Sequence, residues 1–261
     1  MQNDKVVIVT GASRGVGAQT ACLLAASGVG VVLAARAEDA LKTVEQRIRK
    51  AGGQALSVAA DVADADAGER ILARAREHFG RVDALVNNAG LVAPLSPIAE
   101  ADPAAWRYSI AVNLLGPFYL VRACLDDLRR RRGRVVNVSS GAAETVIEAA
   151  GAYCTAKAGL NHFTRVLAAE EPDVVCVAVR PGVVDTGMQE ELRRQGPAAM
   201  PAATADFYRR LKEEGRLIAP QVPARAIAYL ALAAPTSMSG RFVSYDDPDV
   251  AGPARAMFNN G

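Results

Sequence analysis

Apolar positions along the chain fall into two rhythms. Short β-branched runs, apolar at nearly every position, recur at residues 5–10, 30–35, 54–60, 84–87, 134–139, 174–179 and 241–245. Runs of that length without polar alternation are expected of strands covered on both faces. Between them, stretches with apolar residues every three or four positions predict helices at 15–27, 37–51, 64–79, 103–130, 151–171 and 223–234. Strands alternating with helices in this way build strand–helix–strand units and a parallel sheet. The pattern therefore predicts an α/β fold, a doubly wound, seven-stranded parallel sheet with helices on both faces. At 261 residues the chain suffices for one large core, and a single domain over 1–261 is expected.

Residues 186–220 break the rhythm, being rich in Gly, Pro, Ala and charge without a strand signal. Two short helices fit there. An insertion after a strand's carboxyl end is where open α/β sheets place ligands, so a substrate lid is expected, with a plain surface excursion as the other reading.

Charge adds little to this picture. The formal net charge is +2 and no long block of like charge appears, so neither a nucleic-acid partner nor an anionic membrane is expected. The one basic run, Arg129-Arg130-Arg131-Arg132, reads either as a docking patch or as a helix end whose cations complement the dipole. Cys22, Cys124, Cys154 and Cys176 are scattered without metal-ligand or disulfide spacing, which fits a reducing, cytoplasmic setting. His78 and His162 lack ligand spacing, so no metal is expected. Met1-Gln2-Asn3-Asp4 leaves no room for a leader before the first strand. The apolar stretch 21–35 is broken by Gly28 and Gly30 and falls short of the roughly 18 residues of a membrane span.

Candidate chemistry begins where the first strand meets the first helix, at Thr10-Gly11-Ala12-Ser13-Arg14-Gly15-Val16-Gly17. Glycines there permit a tight turn and close backbone approach to a pyrophosphate, whose charge the helix N-terminus favours. Plain strand-to-helix packing is the competing reading, but the strand–turn–helix context favours dinucleotide binding. Tyr153 and Lys157 stand four residues apart on a helix and so share one face. A phenol, with a pKa of about 10, needs roughly 4 kcal/mol of help to act as an acid–base group at neutral pH, and a neighbouring ammonium is a reasonable source.

Through T-G-x-x-x-G-x-G at Thr10, Gly11, Gly15 and Gly17 the chain resembles the short-chain dehydrogenases/reductases. Further matches follow in order: Asp61-Val62, Asn87-Asn88-Ala89-Gly90, Asn113, Ser140, Tyr153 with Lys157, and Pro181-Gly182 followed by Thr186. The resemblance covers almost the whole chain and implies a Rossmann-type fold. It implies Tyr153 as proton donor and Lys157 as its tuner and a nicotinamide-ribose ligand. Ser140, thirteen positions before Tyr153 (153 − 140), is implied to hold the substrate oxygen, its neighbour Ser139 being the confounder. Asn113 is implied to support a water relay to the lysine, although an amide inside an apolar helix also makes turns and kinks.

For the cofactor, the resemblance implies that Gly11, Ser13, Arg14, Gly15, Val16 and Gly17 form the phosphate turn. Asn88, Ala89 and Gly90 would line the adenine-ribose region, Asp61 would meet the adenine amino group and Val62 its ring. Pro181, Gly182, Val184 and Thr186 would position the nicotinamide. Asp61 also reads as a helix N-cap. Coenzyme choice is decided near Ala35 and Arg36, where a carboxylate expected of NAD-preferring relatives is absent at Ala35. Arg36 and Arg14 offer two guanidinium forks for a 2′-phosphate, so NADP(H) is favoured over NAD(H). In the competing reading Glu38 or Asp39 reads the ribose, although acids also suit a helix's first turn.

These readings lead to one expectation: NADPH-dependent reduction of a small ketone, aldehyde or diketone. An NAD-dependent alcohol dehydrogenase and a non-catalytic nicotinamide-binding redox sensor are the alternatives, the intact Ser140, Tyr153 and Lys157 arguing against the sensor. Cys154, beside the tyrosine, reads as a reactive thiol or as a buried inert one. The ending Ser239-Gly240-Arg241-Phe242-Val243-Ser244-Tyr245-Asp246-Asp247-Pro248 is similar to that of the benzil and sepiapterin reductase-like branch. The family's habit implies a homodimer or homotetramer built on helices 103–130 and 151–171, besides a small-molecule carbonyl substrate.

Overall fold

A computed structural model describes residues 4–258. Met1-Gln2-Asn3, read above as leaving no room for a leader, lie outside the described residues. Seven parallel strands form one sheet in the order β3-β2-β1-β4-β5-β6-β7. They are β1 (Val6–Thr10), β2 (Gly30–Ala35), β3 (Ala55–Ala59), β4 (Ala84–Asn87), β5 (Arg134–Val138), β6 (Val175–Arg180) and β7 (Phe242–Ser244). Every strand expected from the apolar runs is present within two residues of its expected ends. Val7, Ile8 and Val9 of the central β1 are fully buried, as a strand covered on both faces requires.

The helices divide between the faces. α1 (Gly15–Ala26), α2 (Glu38–Lys50), α9 (Gln221–Ala233) and α10 (Pro248–Phe258) cover one, through Leu24, Leu41, Ile227, Leu230 and Val250. α3 (Ala67–Phe79), α5 (Gly116–Arg131) and α6 (Gly151–Glu170) cover the other, through Ile71, Leu120, Leu128 and Leu167. The excursion 186–220 holds the two expected helices, α7 (Gly187–Ala199) and α8 (Ala202–Glu213).

Three features depart from the pattern. The helix expected over 103–130 is α4 (Pro103–Ile110) and α5, joined by a π-helical turn, Ala111–Leu115. Asp102 caps α4, accepting from Ala104 N at 3.2 Å and Ala105 N at 3.0 Å, with Pro103 at the first helical position. The turn opens around Asn113, whose amide takes the carbonyl of Ser109 at 3.0 Å and so competes with the helix's own bonding. An 18-residue window within Pro103–Arg131 reaches a mean hydropathy of 1.3, enough by length and composition for a membrane span, which corrects the expectation drawn from 21–35. In the fold 44% of that window is buried, largely against α3, α6 and the sheet. α10, with Gly252 and Pro253 inside it, has poor helical letters and was not expected; it is held by Val250 and Ala254, both buried beside α9.

The basic run at the end of α5 follows the helix-end reading. Arg129 forks onto Glu171 at 2.8 and 2.5 Å, and Arg130 pairs with Asp127.

α3 and α5 approach until backbone meets backbone. A methyl group at Gly68 would stand 2.5 Å from the carbonyl oxygen of Tyr119. Gly68→Ala is expected to lower stability by about 1–3 kcal/mol in urea unfolding, because the helices must part. A change below about 0.5 kcal/mol, the size of an ordinary surface substitution, would refute this contact's importance.

Candidate active site

The carboxyl ends of β1 and β4 meet at the point where the strand order reverses, and a polar lock holds them. Thr10 Oγ1 accepts from the backbone N of Asn88 and of Ala89, both at 3.0 Å. Asn88 returns its amide to Thr10 O at 2.9 Å. Gly11 and Gly15 adopt φ of +63° and +56°, a region side chains avoid. A methyl at Gly11 would also stand 2.8 Å from Asn88 Nδ2, so the turn has room for glycine only. No side chain caps the N-terminus of α1, and its first-turn N–H groups are left for an anion.

A cleft of about 1840 Å³ opens above this edge of the sheet, larger than one drug-sized ligand needs and adequate for a dinucleotide with a substrate. Of the residues expected to act in catalysis or to bind the cofactor, all but Gly17 and Asn113 line it. Gly17 lies one step back, where a methyl would collide with Asn88 and Gly11.

At the far end β5 and α6 bring Ser140, Tyr153 and Lys157 together. Ser140 Oγ accepts from Ala142 N at 3.1 Å, and its hydroxyl pulls the Tyr153 phenol down. Ser139, the confounder, has its Oγ buried without a partner among the described residues. Lys157 Nζ donates to Val138 O at 2.8 Å and lies 5.7 Å from the centre of the Tyr153 ring. Burial lowers the Lys157 ammonium to about 8. Burial raises the Tyr153 phenol, against a smaller opposite pull from Ser140. Desolvation is the largest influence on both groups and pushes both toward their neutral forms.

Asn113 sits in the π-turn, fully buried, and its bond to Ser109 O agrees with the kink reading. Its amide donates to Leu91 O at 2.8 Å, and its Oδ1 accepts from Leu91 N at 3.3 Å. A methyl at Gly90 would stand 2.9 Å from that Oδ1 and 3.6 Å from Lys157 Nζ, so Gly90 alone separates the two side chains.

At the opposite end Arg36 Nη1 donates to Tyr108 Oη at 2.7 Å, and that hydroxyl donates to Asp61 Oδ2 at 2.7 Å. Asp61 Oδ1 accepts from Ala63 N at 3.0 Å, an Asx-turn bond; α3 begins only at Ala67, so the N-cap reading is corrected. Glu38 pairs with Lys42 at 2.7 Å in the first turn of α2, and neither Glu38 nor Asp39 lines the cleft. Arg14 points elsewhere than its expected companion: its guanidinium lies against Gly187, where a methyl would meet it at 3.1 Å.

Thr186 precedes α7, and Leu192 of α7 with Phe207 and Tyr208 of α8 line the cleft. Thr204 donates to Glu148 at 2.9 Å and Lys212 pairs with Asp185 at 2.7 Å, tying α8 to the surrounding loops. The apolar walls Val146, Ile147, Leu192, Phe207 and Tyr208, and the bridging Tyr108, escaped sequence reasoning because they fall outside any spaced motif. Among the described residues no group of three or more His, Cys, Asp or Glu is placed to hold a metal.

Comparison with known proteins agrees with this geometry. The short chain dehydrogenase family model matches residues 5–197. The benzil reductase ((S)-benzoin forming) of Bacillus cereus is 34% identical over 236 residues, covering 87% of this chain and 93% of that one. A solved short-chain dehydrogenase/reductase from Saccharomyces cerevisiae superposes with a TM-score of 0.90 at 36% identity, covering 95% and 98% of the two chains. A single-residue variant of the actinorhodin polyketide ketoreductase, solved with NADPH, superposes with a TM-score of 0.83 at 28% identity, covering 94% and 97%. The chain belongs to the short-chain dehydrogenase family, and its similarity to benzil reductases places it beside that branch.

The buried ammonium has a measurable cost. The unfolded chain holds the Lys157 proton up to its ordinary value of 10.5, the native chain only to about 8. More protons are bound by the unfolded state between these values, so this group makes stability rise with pH across that window. Lys157→Met is expected to be more stable than wild type at pH 7 by about 1–3 kcal/mol, the gap closing toward pH 10. Parallel stability curves for the two proteins from about pH 7.5 to 9.5 would refute it.

Proposed function

We propose that the protein is an NADPH-dependent carbonyl reductase acting on a small ketone, aldehyde or diketone. The observation that carries this reading is the Ser140–Tyr153 pair of hydroxyls beside a buried ammonium, at one end of a cleft whose other end is a glycine turn. A reduced nicotinamide, when bound, supplies the hydride. Ser140 holds and polarises the substrate oxygen. Tyr153, kept protonated at neutral pH by burial, donates its proton to that oxygen, and Lys157 offsets the charge left on the phenolate. Asn113, one glycine away from Lys157, supports the path by which the proton is restored.

The choice of NADP(H) over NAD(H) draws on the end of β2. Ala35, Arg36 and Ala37 line the cleft there, and the acids of α2 do not. Arg36, whose side chain is 65% exposed, is free to turn from Tyr108 toward a 2′-phosphate. Thr186, Val184 and Pro181-Gly182 line the same cleft as Ser140 and Tyr153 and would position the nicotinamide.

Self-association as a homodimer or homotetramer follows from the exposed Leu115, Phe118 and Val166 on α5, α6 and the π-turn before α5, apolar surface best covered by a second copy. Sedimentation at micromolar concentration is expected to show a species larger than the monomer; a clean monomer would refute it.

The reading is tested by following NADPH oxidation with benzil and a panel of simple ketones, NADH being run in parallel. Tyr153→Phe is expected to lose at least about a hundredfold in turnover with little change in NADPH affinity. Arg36→Ala is expected to weaken NADPH by roughly ten- to a hundredfold and leave NADH unchanged. Turnover retained by Tyr153→Phe overturns the proton-donor role. Equal use of both coenzymes by the wild type overturns the coenzyme assignment.

A further inference from the structure

Two opposite charges line the coenzyme end of the cleft without bonding to each other. Arg36, after β2, and Asp61, after β3, are neighbours because Ala35 and Ala59 pair in the sheet. Arg36 Nη1 stands 4.0 Å from Asp61 Oδ2, beyond hydrogen-bonding distance. The Tyr108 hydroxyl, brought in by α4, bonds to both at 2.7 Å, accepting from the guanidinium and donating to the carboxylate.

This bridge leaves the two charges in different states. Asp61 has both oxygens engaged, Oδ1 by Ala63 N at 3.0 Å and Oδ2 by the hydroxyl. Arg36 spends Nη1 alone on the described residues, so most of its five donors remain for a ligand. A guanidinium beside a bare carboxylate forms two parallel bonds instead, which occupies the fork and cancels the charge that a phosphate dianion would meet. Burial, with the Asp61 carboxylate adding to it, raises the Tyr108 phenol above its ordinary value, so the group between the two charges is a neutral donor.

We infer that Tyr108 is a positioning residue for coenzyme choice: its hydroxyl keeps Arg36 and Asp61 from pairing directly and so keeps the guanidinium available to the 2′-phosphate of NADPH. Tyr108 acts through Arg36, and its loss changes the choice between coenzymes rather than the chemical step. The inference rests on the NADPH reading above. A direct pair at so exposed a place is a weak competitor, so the expected change is modest.

Fluorescence titration with NADPH and NADH tests it, the readout being the ratio of the two affinities, from which any loss common to both coenzymes cancels. Tyr108→Phe, which keeps the ring, is expected to lower the wild-type preference for NADPH by roughly three- to tenfold. Asp61→Asn added to it removes the carboxylate that captures Arg36 and is expected to restore the ratio. In an Arg36→Ala background the Tyr108 substitution is expected to leave the ratio where it was. A role confined to holding α4 in place would weaken both coenzymes together and answer to neither second substitution. A ratio that survives Tyr108→Phe, stays low with Asp61→Asn added, or falls as far in the Arg36→Ala background overturns the inference. A wild type that binds both coenzymes alike refutes the NADPH reading and the inference with it, whereas failure in the variants alone leaves that reading standing.

Discussion

A chain of buried hydrogen bonds holds the active site's three supports in register. Asn87 at the end of β4 donates to Asn137 of β5 at 2.8 Å, and Asn137 donates to Thr164 of α6 at 2.9 Å. Thr164 passes the chain on to the carbonyl of Leu160 at 2.8 Å. β4 leads to Asn88–Gly90, β5 to Ser140, and α6 bears Tyr153 and Lys157. Apolar packing alone would tolerate small slips between a sheet and the helix on it, whereas bonds of this kind inside the core are satisfied at one offset only. The distance between the hydroxyls and the glycine turn is thus set in the core, several residues away from any chemistry.

That dependence explains which parts of the molecule were legible in the sequence. Strands buried on both faces leave uninterrupted apolar runs, so their number and their places along the chain could be read directly. The glycine turn, Tyr153 and Lys157 were legible because close backbone approach and one-face helical spacing restrict the letters allowed, whereas Ser140 was legible only through the resemblance to the family. Tyr108 and Tyr208 were not, since each reaches its place through a tertiary contact that fixes no spacing. α10 was missed for the same reason, its stability coming from Val250 and Ala254 against α9 rather than from helix-forming residues. The placement of Arg14 against Gly187, rather than beside Arg36, likewise depends on where α7 begins.

Desolvation is the dominant electrostatic influence on the catalytic groups. It acts on the ammonium and the phenol in opposite directions along the pH scale, and both shifts favour neutrality. Burying an ammonium works against the stability of the fold, which is the usual relation between a working site and its host.

The π-turn at Ala111–Leu115 has a consequence of phase. One residue more than the regular repeat rotates everything after it by about 100° about the helix axis. α4 presents Tyr108 to Asp61, and α5 presents Gly116 to Val62 and Tyr119 to Gly68. The wide turn lets a single stretch of chain serve the cleft with its first half and the core with its second. Asn113, at the hinge between these two orientations, is where that change of angle is made.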